Sequence, residues 1–133
     1  MGKKLIMDEK YLVDTDVLID YIRGNPKAAN FLENTDISLL ISAISVAELY
    51  AGVREGKERE EIESFISAFE FIPLSLEISK KGGLFRRDYG KSHGLGFADS
   101  LIAASAIHTD STLVTLNTKH FQMFDKVLSP YKK

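Results

Sequence analysis

Short apolar segments alternate with amphipathic segments along this chain. Residues 10–13 and 112–115 are short, branched and apolar, as buried parallel strands tend to be, and residues 37–42 and 70–74 have a similar character. The segments between them carry apolar residues at steps of three and four, which is the helical period. These stripes are Val17, Leu18, Tyr21 and Ile22; Ile62, Phe65, Ile66 and Phe69; and Ile78, Gly82, Phe85 and Tyr89. The alternation predicts an α/β fold with a mostly parallel sheet of about four strands, covered by helices on both faces.

Local signals set some of the helix boundaries. Gly24 closes the first stripe, and Asn25 followed by Pro26 is typical of an N-cap and a first helical residue. Residues 98–107 are apolar or small almost all round, which predicts a buried, central helix. Asp99, in the first turn of that helix, is therefore conspicuous.

Length and composition favour one domain. The chain has 133 residues, of which 44% are hydrophobic, so we expect a single domain over residues 1–133 with an N-terminal extension at residues 1–9. The polar stretch 54–61 is predicted to join two helices, because too few residues flank it for two cores. No apolar run is long enough for a membrane span or a signal peptide. We expect a cytoplasmic protein that does not bind membranes.

Cysteine content and charge narrow the chemistry. The chain has no cysteine, which excludes disulfides, thiolate nucleophiles and cysteine-ligated zinc. Its net charge of −2 gives no overall attraction for nucleic acid, so a polyanionic substrate would need a local basic cluster or bound cations. The densest basic cluster comprises Lys80, Lys81, Arg86, Arg87 and Lys91, and a solvated helix face explains it equally well.

Four polar residues lie where strands are predicted to end or a helix to begin. Asp14 ends the first strand, Glu48 follows the second strand by six residues, Asp99 opens the buried helix, and Asn117 follows the last strand by two residues. In an open parallel sheet, ligands bind beyond the carboxyl ends of the strands. The four residues are therefore predicted to converge at one edge of the sheet.

Helix capping is the alternative explanation for each of these residues. The capping candidates are Asp14 or Asp16 for a helix at 17–23, Ser45 with Glu48 as an S-x-x-E box, Asp99 at a helix dipole, and Asn117 before a helix starting at residue 118. Caps explain three acids in equivalent places less well, because Asp14 and Asp99 have apolar neighbours. Buried carboxylates without a cation are costly.

A hard metal ion is the counter-charge that these residues suit best. The histidines, His93, His108 and His120, lack the close pairing of zinc motifs, and we assign them to surface or core packing. Carboxylate and carboxamide oxygens suit Mg²⁺ or Mn²⁺, which often bind substrate phosphates. The predicted chemistry is phosphoryl transfer or phosphodiester hydrolysis.

Four segments resemble the motifs of PIN-domain ribonucleases, and more narrowly of the VapC-type toxins of toxin–antitoxin pairs. The segments are "YLVDTDVLIDYI", "SAISVAELYAG", "GFADSLIAASA" and "LVTLNTKHF", in the same order and spacing. The resemblance covers roughly residues 10–128. It implies a three-layer α/β/α sandwich with a central, mostly parallel sheet of four or five strands, and metal-dependent endoribonuclease activity.

The resemblance also implies roles for individual residues. Asp14, Glu48 and Asp99 match the family's three acidic active-site positions, and Asn117 matches the fourth, which is often Asp. We expect the three acids to hold one Mg²⁺ or Mn²⁺ that activates a water, with Asn117 at the edge of the site. Because asparagine is neutral, a second ion would be held more weakly or by the substrate. Cleavage by water should leave 5′-phosphate and 3′-hydroxyl ends.

Several neighbouring residues have predicted supporting roles. Asp16 stands where the family more often has Ser or Asn, so it either restores charge missing at position 117 or caps the helix. Thr15 and Thr115 are candidates for contacting substrate or for orienting ligands or a water. Arg86 and Arg87 are candidates for holding RNA phosphates.

The resemblance implies an RNA substrate, a homodimer and a cognate VapB-type antitoxin that covers the active site with a basic or aromatic residue. Three alternatives remain open at this point. One is a housekeeping PIN-type RNA-processing nuclease, and another is a PIN-fold binding module whose site is too degraded for turnover. The third is a haloacid-dehalogenase-like phosphatase, because residues 14–17 read D-x-D-x after an apolar strand.

Overall fold

A five-stranded sheet, in which every neighbouring pair of strands is parallel, forms the centre of the described chain. The structure is a computed structural model that describes residues 9–132. The strand order is β3-β2-β1-β4-β5. The strands are β1 (Lys10–Val13), β2 (Ser38–Ser42), β3 (Glu70–Ile72), β4 (Thr112–Val114) and β5 (Val127–Leu128). The predicted parallel sheet is confirmed, and a short fifth strand at its edge joins the four predicted segments.

Six α-helices occupy the connections within residues 9–132. They are α1 (Thr15–Ile22), α2 (Pro26–Asn34), α3 (Ala43–Ala51), α4 (Lys57–Ile66), α5 (Leu76–His93) and α6 (Phe97–His108), and a 3₁₀ helix (Thr118–Phe121) follows β4. None of these helices is long and apolar enough to cross a membrane. The predicted N-terminal extension at residues 1–9 lies outside the described residues except for its last position.

Alternate residues of each strand face opposite layers of helices. Leu12 and Leu40 belong to a core cluster with Ile102 and other residues of α5 and α6. Their chain neighbours Val13 and Ile41 belong to a second cluster, formed with residues of α1 to α4. This period of two confirms the three-layer α/β/α sandwich, with the sheet buried on both faces.

Helix boundaries follow the predicted caps in part. Asn25 caps α2 through a hydrogen bond from the Lys27 amide, 2.8 Å long, and Pro26 is the first helical residue, as predicted. Gly24, which follows α1, has a left-handed φ of 83°, which glycine adopts at little cost. The predicted S-x-x-E box is wrong: Ser42, the last residue of β2, caps α3 by accepting from the Ile44 amide.

The predicted junction at 54–61 is half a loop and half a helix, because α4 already begins at Lys57.

Close packing of α5 on α6 explains the glycine in the third apolar stripe. A Cβ at Gly82 would lie 3.1 Å from the Leu101 Cα and 2.5 Å from its Cδ2. Only a residue without a side chain permits this approach, so the glycine is part of the packed face.

Candidate functional site

Asp14 stands at the carboxyl end of the middle strand of the sheet. It is the N-cap of α1, and only 6% of it is exposed. Its backbone amide donates to the Val114 carbonyl at 2.8 Å, which fixes it against β4. Its carboxylate accepts hydrogen bonds of 2.8 Å from the Thr15 amide and from the Thr115 hydroxyl. The predicted capping alternative is thus correct for the position of Asp14, but the carboxylate also bonds across the sheet.

Burial and neighbouring acids change the ionisation of this carboxylate. Burial raises the pKa of Asp14 to about 7, and the charge of Asp16 adds to the increase. The hydrogen bonds from Thr115 and Thr15 oppose it, and Asp99 contributes a smaller increase. Asp16 and Asp99 therefore both act on Asp14 as nearby negative charges. A bound cation would relieve this repulsion.

Asp16 connects the first turn of α1 to the end of β4. Its Oδ1 accepts from the Val17 amide at 2.8 Å, and its Oδ2 accepts from the Leu116 amide at 3.1 Å. Burial is the largest cause of a raised pKa at Asp16, and these backbone hydrogen bonds lower it in part. Asp14, and not Asp16, is therefore the N-cap of α1, and Asp16 instead holds the segment that leads to Asn117.

Glu48 reaches the site through Thr15. The Thr15 hydroxyl donates to Glu48 Oε1 at 2.7 Å, and the Ser45 hydroxyl lies 2.8 Å from the same Thr15 oxygen. Because Thr15 directly follows Asp14, this contact brings the α3 acid alongside the first one. Glu48 itself is exposed to solvent.

Asp99 lies in the first turn of α6 and faces the 3₁₀ helix. Its carboxylate lies 3.7 Å from the Nδ1 atom of His120, and its side chain is 29% exposed. Burial raises the pKa of Asp99, while the nearby His120 ring partly offsets this. Asn117 is exposed and its Nδ2 lies 2.7 Å from the same His120 nitrogen. Asn117 holds the N-cap position of the 3₁₀ helix, as predicted, but its side chain makes no capping hydrogen bond.

The donor atoms of the site suit a hard divalent ion, although they are not arranged around one. Asp14, Glu48 and Asp99 offer carboxylate oxygens, which Mg²⁺ and Mn²⁺ prefer. In the part of the chain that the structure describes, no group of three or more His, Cys, Asp or Glu side chains is already placed to hold a metal ion. Glu48 in particular is engaged with Thr15. The donor chemistry therefore fits, and binding a metal ion would require these side chains, Glu48 among them, to leave their present contacts.

The predicted phosphate contacts on α5 are both exposed. The Arg86 guanidinium lies over Gly90 one turn further along the helix, and Arg87 pairs with its neighbour Asp88 at 2.8 Å. Within residues 9–132, neither arginine forms a hydrogen bond or an ion pair with the four predicted site residues. Their assignment to RNA binding stays a prediction.

Two residues near the site were not identified from the sequence. His120, assigned to packing, contacts both Asp99 and Asn117. Asp20, one turn beyond Asp16 on α1, is 7% exposed and accepts a 2.8 Å hydrogen bond from the Tyr131 hydroxyl. The i, i+4 spacing of Asp16 and Asp20 was the available signal for a shared helix face, whereas nothing local identifies Tyr131 as the partner.

Known proteins are similar to this chain in both sequence and fold. A family model described as the PIN domain matches residues 11–127. Ribonuclease VapC19 of Mycobacterium tuberculosis is 40% identical over 124 residues, covering 90% of this chain and 98% of that protein. The structure of a toxin-antitoxin complex from Klebsiella pneumoniae aligns with a TM-score of 0.81 at 29% identity, over 92% of this chain and 99% of that chain. VapBC2 from Rickettsia felis, bound to a promoter DNA fragment, aligns with a TM-score of 0.71 at 31% identity, over 90% of this chain and 96% of that chain. The fold, the acidic edge of its sheet and these matches together establish that the chain belongs to the PIN domain family.

Proposed function

We propose that this chain is an endoribonuclease that acts as the toxin of a toxin–antitoxin pair. The observation that carries the proposal is the buried carboxylate of Asp14, which has a raised pKa and stands beside Asp16 and Asp99 at the carboxyl end of β1. The relatives named ribonuclease VapC and the neighbours described as toxin–antitoxin complexes support it. Membership of the PIN family favours a nuclease over a phosphatase with an aspartate nucleophile.

We further propose that Asp14, Glu48 and Asp99 hold Mg²⁺ or Mn²⁺, with Asn117 beside them. A bound divalent ion would make a nucleophilic water available at neutral pH and offset charge on the phosphate undergoing attack. The protein's contribution is to orient the ligands. Thr115 fixes the rotamer of Asp14, and Thr15 keeps Glu48 within reach of the site.

RNA and this acidic edge are both negatively charged, so RNA must approach the edge against electrostatic repulsion. The exposed guanidinium of Arg86, which makes no ion pair within residues 9–132, is the more available of the two predicted phosphate contacts, because Arg87 is paired with Asp88. A phosphate could compete for Arg87, since exposed ion pairs contribute little stability.

The proposed partner is a VapB-type antitoxin, and the proposed assembly is a homodimer. The excess of carboxylates around Asp14 would attract a basic side chain of the antitoxin, which would take the place of the cation. The apolar stripe on α4 is a weaker candidate for a partner surface: Ile62 is 2% exposed, and Phe65 stacks on Tyr21 and packs against Phe69. This stripe mainly serves the protein's own core.

The test is incubation of purified protein with total RNA, with and without Mg²⁺ or Mn²⁺. The wild type should cut RNA only with metal, and Asp14→Asn should be inactive while remaining folded. End analysis should find 5′-phosphate and 3′-hydroxyl termini. Termini with 2′,3′-cyclic phosphate would show that the ribose hydroxyl attacks, which contradicts the proposed hydrolysis by water.

The same experiment addresses the remaining alternatives. A binding module would retain RNA without cutting it under any metal condition. A housekeeping nuclease would cut RNA but would show no inhibition by the protein encoded by a neighbouring antitoxin-like gene. Co-expression that restores growth and blocks cleavage supports the toxin.

A further inference from the structure

A cavity of about 310 Å³ lies beside Glu48, between α1, the end of α3 and α4. Its apolar wall includes Ile19 and Ile22 of α1, Leu49 of α3 and Ile62 of α4. Leu49 and Ile62 are themselves 5% and 2% exposed, so they form a fixed surface. The volume is near the lower limit of roughly 300 Å³ found for small-molecule sites. The cavity can therefore hold a group about the size of a single planar ring system.

Charged groups of both signs line the same cavity. Arg23 caps the end of α1 with its backbone, and Arg54 lies in the loop before α4. Neither guanidinium makes a hydrogen bond or ion pair with any other residue in 9–132. Glu58 accepts from the Arg54 backbone amide through Oε1 at 3.1 Å, and its Oε2 has no described partner. The rim thus offers two free donor groups and a free acceptor oxygen.

We propose that this cavity is a guanine-binding subsite for an RNA nucleotide next to the cleavage site. The proposal rests on the proposed ribonuclease function, because Glu48 joins the cavity to the catalytic edge. Guanine presents two adjacent acceptors, O6 and N7, which match the paired donors of an arginine. Its N1–H and N2–H groups are adjacent donors, which match the two oxygens of Glu58: Oε2 is free, and Oε1 has a second lone pair beside the one that accepts from the Arg54 amide. The apolar wall then covers a face of the base.

The mixed charge of the rim argues against other ligands. A bare phosphate would be attracted by the guanidinium groups of Arg23 and Arg54 but repelled by the carboxylates of Glu48 and Glu58. Adenine presents one donor beside one acceptor, a pattern that suits an amide side chain better than an arginine or a carboxylate. Uracil and cytosine leave more of the cavity empty and lack N7. Among the four bases, only guanine would pair two adjacent acceptors with an arginine and two adjacent donors with Glu58.

The test measures nucleotide binding separately from cleavage. GMP, IMP, AMP and CMP are titrated into isotopically labelled protein in EDTA, and backbone amide shifts are followed by NMR. GMP should shift amides of Leu49, Gly52 and Arg54, and should bind about tenfold more tightly than AMP, which lies within the range for one paired base contact. IMP, which lacks the N2 amino group, should fall between them.

Matched variants within residues 54–60 separate the cavity from general charge effects. Glu58→Gln should reduce the preference for GMP over AMP, and Arg54→Gln should weaken GMP binding about tenfold. Glu60→Gln and Arg59→Gln make the same charge changes on exposed positions of α4 and should leave GMP binding unchanged. Unchanged amide dispersion will show that each variant is folded.

Three results would overturn the subsite. Equal binding of all four nucleotides would show that phosphate or ribose is recognised instead of the base. Shifts confined to Asp14 and its neighbours would place the nucleotide at the acidic edge and leave the cavity empty. No shift at millimolar GMP would leave the cavity to another occupant, such as a protein segment. Because no metal or cleavage is involved, these results leave the nuclease proposal standing, and its own failure in the RNA assay would leave GMP binding measurable.

Discussion

Replacing Asp14 by asparagine should stabilise the metal-free protein at pH 8 while removing its activity. The folded state keeps the Asp14 pKa near 7, above the ordinary value of 3.8 that applies in the unfolded chain. Between these two values the native state binds more protons than the unfolded state, so stability falls as pH rises. This loss of stability is complete above about pH 7, and the Asp14→Asn variant should not show it.

The size of the effect follows from the shift in pKa. A change from 3.8 to about 7 spans roughly three pKa units, and each unit corresponds to about 1.4 kcal/mol. The upper limit is therefore about 4 kcal/mol at pH 8. Asparagine also replaces the charged acceptor of the Thr115 hydroxyl, which lowers the expected gain to about 2–3 kcal/mol. For a domain of this size, the melting temperature should rise by roughly 6–10 °C.

The assay is thermal and urea unfolding of both proteins in EDTA, from pH 4 to pH 9. The two curves should be close at pH 4 and should separate progressively up to pH 7. Asp36→Asn is the matched control, because Asp36 is exposed and the same loss of charge should change stability by less than about 0.5 kcal/mol. If Asp14→Asn is no more stable than wild type at pH 8, the carboxylate is not held at an electrostatic cost, and the argument for a cation at this edge fails.

Three further changes test other parts of the structure. Millimolar Mn²⁺ or Mg²⁺ should raise the melting temperature of the wild type in differential scanning fluorimetry, and Asp14→Asn should lose most of that rise, because stabilisation requires a metal-binding native state. Gly82→Ala should cost about 1–3 kcal/mol in urea unfolding, since its Cβ would meet Leu101. Tyr131→Phe should cost about 1 kcal/mol by the same measurement, because it removes a hydrogen bond to the buried carboxylate of Asp20.

Each of these three predictions has a control or an outcome that would contradict it. Gly83→Ala, one position along the same helix, adds a Cβ that meets nothing within 4 Å and should be neutral or stabilising, so equal costs at 82 and 83 would contradict the packing argument. A metal-dependent rise that persists in Asp14→Asn would place the ion elsewhere. An unchanged stability for Tyr131→Phe would show that the hydroxyl can be replaced by water.

Much of the fold was accessible from the sequence because the strands are buried on both faces. Leu12–Val13, Leu40–Ile41 and Leu113–Val114 are apolar pairs whose two members face opposite cores, which produces the continuous apolar runs that predict parallel strands. Strand β5 was missed because Val127–Leu128 is only two residues long. A segment of this length carries no periodicity.

The location of the site was predictable, but the contacts within it were not. Placing Asp14 and Asp99 at one edge needed only the rule that the carboxyl ends of parallel strands share an edge. The hydrogen bond from Thr15 to Glu48 depends on how α1 packs on α3, and nothing near residue 48 in the sequence encodes it. Ser45 misled the capping prediction because an S-x-x-E pattern also fits a serine that lies inside a helix beginning two residues earlier.

The hydrogen bond between the Thr115 hydroxyl and Asp14 joins residues 101 positions apart. Contacts of such long sequence separation close a large loop, which costs chain entropy and slows folding. Strand β1 reaches β2 across a much shorter loop than the one that brings it to β4. We therefore expect the edge that carries Asp14 to be completed late in folding, after the pairing of β1 with β2.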